Sequence, residues 1–286
     1  MMDFFMNLFN AIKSFFTKIK LKRERKNRGA GISLLVPFRT DNGHRASVWE
    51  WLHEYYHNEL PGAEIIVMDD NGSASEPFCK TLAFNRAAKK AKGDIFVLLD
   101  ADCYIPGSVL LKAADRIRAF EALGHPLWYV PYRHFYRLSE LTSADLLYSD
   151  PANPMRFGKM DSTSLDELGG ISHGHYYGAL ITVLSRQAWD TVGGMDTRFQ
   201  GWGSEDICFL KAVDTLYGRH KTINSPVYHI WHPKIKASAD TGFRMWQGQT
   251  KAGQNSRLAE RYNRATYDAA EMRKLVEEDP GRQLKA

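Results

Sequence analysis

The apolar run Ile95–Leu99, followed at once by Asp100-Ala101-Asp102, constrains the fold more than any other stretch. Five apolar residues are too few to cross a membrane and are typical of a strand buried on both faces of a sheet. Because aspartate is depleted in strands, the strand is predicted to end at Asp100. In open α/β sheets, ligands bind at this carboxyl end, where paired carboxylates can hold Mg²⁺ or Mn²⁺. The alternative is that Asp100 and Asp102 only cap a turn or the helix near Pro106.

The residues before this run alternate between strand and helix patterns. Ile32–Val36 and Glu64–Met68 are predicted to be buried strands, and Val48–Tyr56 and Phe78–Lys92 to be helices. This order predicts an α/β fold with a mainly parallel central sheet, flanking helices and right-handed crossovers. Polar residues follow all three strands at their carboxyl ends, a repetition that favours a nucleotide site at that edge of the sheet.

The rest of the chain continues the pattern with two less regular regions. Leu127–Pro131 and Ala179–Leu184 are predicted to be strands, and Arg186–Thr191 a short helix. Residues 139–172 are rich in Ser, Asp, Gly and Pro and are predicted to form a long loop or insertion, often a lid or an acceptor-binding element. From residue 243 onward the chain is predicted to be helical, with a role in packing or assembly.

The net charge of +5 is unevenly distributed along the 286 residues. Residues 1–28 contain eight Lys or Arg against Asp3 and Glu24, a net +6, so the remainder carries +5 − 6 = −1. The basic character therefore belongs to the leader and not to the domain, which weakens a nucleic-acid interpretation. The three cysteines are odd in number and widely spaced. They indicate neither a disulfide framework nor a zinc site, and they predict a cytoplasmic protein.

Residues 1–28 have the pattern of an amphipathic helix followed by a polybasic stretch. Apolar residues from Phe4 to Ile19 recur at steps of three and four, with lysines mostly on the other face. Polar residues interrupt this segment too often for a spanning helix. The pattern predicts peripheral contact with a membrane surface. The alternative is a helix that docks on a partner or on the protein's own domain.

The order and spacing of several short motifs resemble those of GT-A glycosyltransferases. The Asp69-Asp70-Asn71-Gly72-Ser73 and Asp100-Ala101-Asp102 pieces resemble inverting family-2 enzymes. Three other pieces resemble β-1,4-galactosyltransferases and chondroitin-polymerase-type enzymes: Pro37-Phe38-Arg39, Phe84-Asn85-Arg86-Ala87 and Gly201-Trp202-Gly203-Ser204-Glu205-Asp206. The resemblance covers roughly residues 31–235. It implies a Rossmann-like GT-A domain over residues 29–242, between the basic segment 1–28 and a C-terminal helical extension, residues 243–286.

The resemblance implies a site for a nucleotide-sugar donor, most simply a UDP-sugar. The Pro-Phe-Arg segment would line the nucleotide pocket, and the arginine of Phe-Asn-Arg-Ala would face the phosphates. One acid of the Asp-Asp pair would bind the uracil or ribose, and the tryptophan between two glycines would pack on a sugar. The donor-binding residues implied in this way are Pro37, Phe38, Arg39, Asp69, Asp70, Arg86, Asp100, Ala101 and Trp202.

The same resemblance implies a metal site for Mn²⁺ or Mg²⁺. Asp102 would ligate the ion, with Asp100 nearby on the ribose or the metal. The second metal element of galactosyltransferases is Met-x-x-His, whereas this chain has His229-Ile230-Trp231-His232. His232 therefore maps onto a ligand, while His229 stands in place of a methionine. This departure leaves the second ligand and the preferred metal open.

The implied reaction is metal-dependent, inverting transfer of a sugar to an acceptor hydroxyl. Asp206 would be the base that removes the hydroxyl proton, and Glu205 would bind acceptor hydroxyls or share that role. Both acids also come just before a predicted helix, Ile207–Leu216, where negative charge favours the helix dipole. The two roles are compatible.

Two other functions compete with this one. A nucleotidyltransferase would also use a Rossmann-like sheet and metal-binding acids, but a Gly-rich phosphate loop is expected early in such a chain, and Val36–Arg39 is not one. A non-catalytic glycan-binding module of the same fold is the third possibility. The acceptor is left open between a protein hydroxyl, a cell-surface glycan, a lipid-linked sugar and a modified nucleobase.

Overall fold

The chain folds into two β-sheets flanked by helices. The structure is a computed structural model, and it describes residues 27–73, 76–157, 165–167, 180–201, 203–233 and 250–282. The strands are β1 (Ile32–Pro37), β2 (Glu64–Met68), β3 (Ile95–Leu99), β4 (Cys103–Tyr104), β5 (Tyr129–Val130), β6 (His134–Leu138), β7 (Leu165–Glu167), β8 (Ile181–Ser185), β9 (Lys221–Thr222) and β10 (Pro226–His229). The helices of these described ranges are α1 (His44–Glu59), α2 (Lys80–Lys90), α3 (Gly107–Glu121), α4 (Glu140–Tyr148), α5 (Arg186–Val192), α6 (Glu205–Leu216), α7 (Thr250–Ala265) and α8 (Ala269–Glu277).

The larger sheet has the strand order β2-β1-β3-β8-β5-β9. β1 runs parallel to β2 and to β3, and β5 runs parallel to β9, whereas β8 is antiparallel to both of its neighbours. The predicted α/β fold with a mainly parallel central sheet is therefore confirmed. All five residues of β3 are buried, as the uninterrupted run Ile95–Leu99 predicts for a strand between two others.

The prediction that β2 is a buried strand is wrong, although its bounds are right. β2 lies at the edge of the sheet, its residues are mostly half-buried, and Val67 is 37% exposed. An edge strand has one neighbour, so apolar residues on it can remain partly exposed to solvent. Sequence hydrophobicity does not distinguish an edge strand from a central one.

The smaller sheet, in the order β4-β10-β6-β7, joins two distant parts of the chain. β4 follows Asp102 directly and pairs antiparallel with β10, so that Cys103 lies opposite His229. The backbone N–H of Ile230 donates to the carbonyl of Asp102 at 2.8 Å, which extends this pairing by one residue. The strand pairing therefore brings the histidine segment to the end of β3.

Residues 139–172, predicted to form a long loop or insertion, begin with the helix α4, which the sequence analysis did not predict. Ser139 caps this helix by accepting a hydrogen bond from the backbone N–H of Thr142 at 3.1 Å. Leu146 of this helix is fully buried. Ser139 belongs to the Ser-rich composition that indicated a loop, but a serine at this position starts a helix.

The C-terminal helices α7 and α8 hold the chain segment that leads to α6. The Tyr262 hydroxyl donates to the buried carboxylate of Asp196 at 2.7 Å. The Asn255 side chain accepts from the N–H of Gln200 and donates to its carbonyl. These contacts agree with the predicted packing role of the C-terminal region.

Among the described residues, no helix combines the length and the apolar character needed to cross a bilayer. The leader helix predicted within residues 1–28 lies almost wholly outside them and remains a prediction.

Candidate active site

The Asp102 carboxylate faces two imidazoles at the end of β3. Its Oδ1 lies 3.7 Å from Nε2 of His229, and its Oδ2 lies 3.4 Å from Nε2 of His232. Candidate ligand atoms of these three residues all lie within 4.8 Å of one another. The Asp102 side chain is only 12% exposed. The structure therefore brings together the three residues that the sequence assigned to the metal.

One hydrogen bond orients the His232 ring, and a second one holds the loop that carries it. Nδ1 of His232 lies 3.1 Å from the carbonyl oxygen of Pro233, and a carbonyl can only accept, so Nδ1 carries the proton. Nε2, the nitrogen that faces Asp102, is then the one available to bind a metal. The loop is held in turn by the N–H of Trp231, which donates to the Ser143 hydroxyl of α4 at 2.8 Å.

The charged neighbours of Asp102 oppose the effect of burial on its pKa. Burial alone would raise the pKa of Asp102, but His229, His232 and Arg45 outweigh it and hold that pKa below its usual range. Burial lowers the pKa of His229, whereas the hydrogen bond to Asp102 raises the pKa of His232. An ionised carboxylate beside a neutral imidazole is the protonation state that metal binding requires.

The Asp100 carboxylate has a different partner, the ammonium of Lys80 at the start of α2. Lys80 Nζ lies 2.7 Å from Oδ1 and 3.0 Å from Oδ2 of Asp100. Burial raises the pKa of Asp100 to about 7, with the Lys80 ammonium opposing that rise. Burial would lower the pKa of Lys80, but Asp100, Asp206 and Glu205 together raise it, so Lys80 stays charged.

A loop with unusual backbone angles presents Glu205 and Asp206 to the Lys80 ammonium. Gly203 has φ +132°, which only glycine adopts easily, and Ser204 has φ +69°. Glu205, 4% exposed, accepts from the N–H of Gly203 at 2.9 Å and lies 4.0 Å from Lys80 Nζ. Burial and the adjacent Asp206 raise the pKa of Glu205. Asp206 is only partly buried, and its Oδ1 accepts from the N–H of Ile207 at 2.7 Å.

The acids after β2 lie in unlike surroundings. Asp70 is buried, pairs with Arg39 at 2.5 Å and accepts from the N–H of Cys79 at 2.8 Å. Asp69 is 49% exposed and lies 3.3 Å from NH1 of Arg86. Asp70 therefore fixes the loop and the start of α2, and Asp69 is the acid of the pair that is accessible from solvent.

The other residues predicted to bind the donor differ in their burial and in their hydrogen bonds. Arg39 donates to the carbonyls of Ser73 and Glu76, both at 2.9 Å, and so shapes the loop after β2. Pro37 and Ala101 are buried, and Phe38 is half-buried. Trp202 lies outside the described residues, so its contact with a sugar remains a prediction.

Two cations of the site were missed by the sequence analysis. Lys80 was counted only as part of a helix, and Arg45 was not singled out, yet Arg45 NH2 lies 3.7 Å from Asp102 Oδ2. Neither residue belongs to a motif quoted for the resemblance. One signal was present for Lys80, since it starts the helix that follows the Asp69-Asp70 loop.

Comparison with known proteins identifies the kind of enzyme. Residues 40–180 match the sequence family "Glycosyl transferase family 2", and residues 162–222 match "N-terminal domain of galactosyltransferase". Mouse chondroitin sulfate synthase 3 is 22% identical over 204 residues, which are 70% of this chain. The aligned region is 20% of that protein, so the chain spans about a fifth of its length.

Two solved structures are similar to this chain over most of its length. The catalytic domain of Drosophila β1,4-galactosyltransferase 7 in complex with xylobiose has a TM-score of 0.44 and 13% identity, covering 77% of this chain and 80% of that one. GalNAc-T7 with UDP, GalNAc and Mn²⁺ has a TM-score of 0.41 and 13% identity, covering 87% of this chain and 54% of that one.

The two family matches run together from residue 40 to residue 222 and contain Asp100, Asp102, Glu205 and Asp206. They support glycosyl transfer, and not nucleotidyl transfer, as the reaction class of this chain. The chain is a glycosyltransferase of the GT-A fold, related to family 2 and to the galactosyltransferases.

Proposed function

We propose that this enzyme transfers a sugar from a nucleotide sugar, most simply a UDP-sugar, to an acceptor hydroxyl with inversion at the anomeric carbon, and that it requires Mn²⁺. The observation that carries the proposal is the cluster of Asp102, His229 and His232 at the end of β3, where Lys80 connects the neighbouring Asp100 to Glu205 at the start of α6.

The donor set of this cluster fits a divalent cation. It offers one carboxylate and two imidazoles, with Nε2 of His232 facing Asp102. Mg²⁺ prefers oxygen ligands, so the two imidazoles argue against it, and of the two cations predicted from the sequence we favour Mn²⁺. When bound, the ion supplies positive charge against the departing diphosphate.

The residues around the cluster divide into a donor side and an acceptor side. On the donor side, the partly exposed Asp69 would accept from the base or ribose, and Arg86 beside it would reach the phosphates. On the acceptor side, Asp206 would take the proton of the acceptor hydroxyl as its oxygen attacks the anomeric carbon and the nucleoside diphosphate leaves. This single displacement inverts the anomeric configuration. Glu205, which is buried, would orient the acceptor or Asp206 itself.

A glycan is the acceptor class that the relatives favour. The name of chondroitin sulfate synthase 3 supports a sugar hydroxyl over a protein or a nucleobase. We also propose a cytoplasmic enzyme held at a membrane surface by residues 1–28. The three free thiols and the +6 charge of that segment support this placement.

The test is a screen of nucleotide sugars against glycan acceptors, with Mn²⁺ and mass-spectrometric detection. We expect nucleoside diphosphate release and a glycosylated product from one donor, lost in Asp102→Ala and kept in Asp115→Ala, a change of an exposed acid on α3. An NMR assignment of the new linkage should show inversion. Absence of turnover across the screen, or equal activity in chelator, would contradict the proposal.

A further inference from the structure

Two sets of potential ligands overlap at the end of β3 and share Asp102. One is Asp102 with His229 and His232, and the other is Asp102 with Asp100 and Cys103. Within each set the ligand atoms lie within 4.8 Å of one another. Proximity alone therefore allows the cation to use Asp100 as well as Asp102.

The Lys80 ammonium distinguishes the two carboxylates. It lies within hydrogen-bond distance of both oxygens of Asp100, at 2.7 and 3.0 Å. The Lys80 side chain is 17% exposed, so this pair is largely shielded from water. The nitrogens near Asp102 stand farther off, with Arg45 and His229 at 3.7 Å and His232 at 3.4 Å.

We propose that Lys80 is a positioning residue that keeps Asp100 out of the ligand set and so directs the cation to Asp102, His229 and His232. The inference rests on the proposed metal-dependent function. Its physical basis is charge. With Asp100 neutralised by Lys80, the site presents one free carboxylate to the cation instead of two, and the number of charged ligands tunes cation affinity.

The same ammonium also links the donor side to the acceptor side. Lys80 Nζ is 4.0 Å from Oε1 of Glu205, whose Oε2 accepts from the N–H of Gly203. Lys80 thus connects the end of β3 with the loop that carries the α6 acids. Loss of the ammonium should therefore lower kcat while metal binding becomes tighter, a combination that simple damage to the fold would not produce.

The experiment is a double-mutant cycle on Lys80 and Asp100, read out as Mn²⁺ affinity by calorimetry on the full chain without donor. We expect Lys80→Met to bind Mn²⁺ about tenfold more tightly, because a nearby positive charge is removed and Asp100 becomes available. Asp100→Asn alone leaves the Lys80 ammonium unpaired near the cation and should lower the affinity by at most about tenfold, whereas Asp102→Asn should lower it about a hundredfold. In the Lys80→Met background, Asp100→Asn should reverse the gain.

Lys90→Met is the matched control, because Lys90 is an exposed lysine of the same helix. Its Mn²⁺ affinity should equal that of the wild type. If Lys80→Met does not fold by its thermal transition, Lys80→Gln takes its place in the cycle, since it removes the charge and keeps a polar group.

Three results would overturn the inference. One is a loss in Asp100→Asn as large as in Asp102→Asn, which would make Asp100 a ligand despite Lys80. Another is unchanged affinity in the Lys80 variants. In both cases the wild type still binds Mn²⁺ and the proposed function stands. The third, a wild type that binds no Mn²⁺, would remove the metal-dependent function together with this inference.

Discussion

Asp206→Asn should remove the catalytic base while leaving the local structure in place. The Asp206 side chain is partly buried, and its Oδ1 accepts from the N–H of Ile207 at 2.7 Å. The amide oxygen of asparagine can accept the same bond, and asparagine is well tolerated at a helix start. The change therefore removes the charge and the basicity of this side chain and little else.

The expected loss of activity follows from the loss of the basic carboxylate. General-base catalysis typically contributes ~10²–10⁴-fold, so kcat should fall by about this factor, or about 2.7–5.4 kcal/mol in the activation free energy. Donor affinity should stay near the wild-type value, because the base acts on the acceptor hydroxyl. The assay is steady-state kinetics with each substrate varied in turn, and calorimetry of donor binding.

Glu205→Gln is the matched comparison, and the structure predicts a different outcome for it. Glu205 is buried between the N–H of Gly203 and the Lys80 ammonium. Its replacement leaves Lys80 with one counter-charge fewer, so the loss should appear mainly in the acceptor KM and in thermal stability. Near-normal kcat in Asp206→Asn, or loss of donor binding there, would refute the assignment and make Glu205 the next candidate base.

Three further predictions concern the metal, the C-terminal helices and the leader. Asp102→Ala should abolish Mn²⁺-dependent donor binding by calorimetry, and full activity of this variant in chelator would contradict the metal site. Asp196→Asn should lower the unfolding free energy by roughly 3–5 kcal/mol in denaturant titration, because Arg198 and Tyr262 lose a buried charged acceptor; a loss below about 1 kcal/mol would count against this network. Deletion of residues 1–28 should leave an active enzyme that no longer binds anionic vesicles, and equal vesicle binding by both proteins would exclude the membrane role.

The parts of the fold that follow from local patterns could be predicted from the sequence. The uninterrupted apolar run of β3 and its two terminal acids predicted both the buried strand and the place of the site. The strand β2 shows the limit, because its composition is that of a buried strand while its exposure depends on which strands pair beside it. The helix α4 was missed because Ser139 was counted as a loop residue and not as a cap.

In the candidate site, too, residues within motifs could be predicted and residues placed by tertiary packing could not. Asp102 and His232 could be singled out because each stands in a motif, and the pairing of β4 with β10 brings them together. Lys80 could at most be placed near the Asp69-Asp70 loop, since nothing local in the sequence indicates that its ammonium reaches Asp100, twenty residues further on, and Glu205. Contacts of that kind depend on how helices pack on the sheet, which a single sequence does not reveal.

The most direct measurement of the central claim is pulsed EPR of the full chain loaded with one equivalent of Mn²⁺. If Asp102, His229 and His232 hold the ion, the spectrum should show coupling to two directly bound imidazole nitrogens. His232→Ala should reduce the coupling to one nitrogen, and a change of both histidines should abolish it, while His53→Ala on α1 should have no effect. Mn²⁺ bound without nitrogen coupling, or coupling that survives the loss of both histidines, would contradict the account.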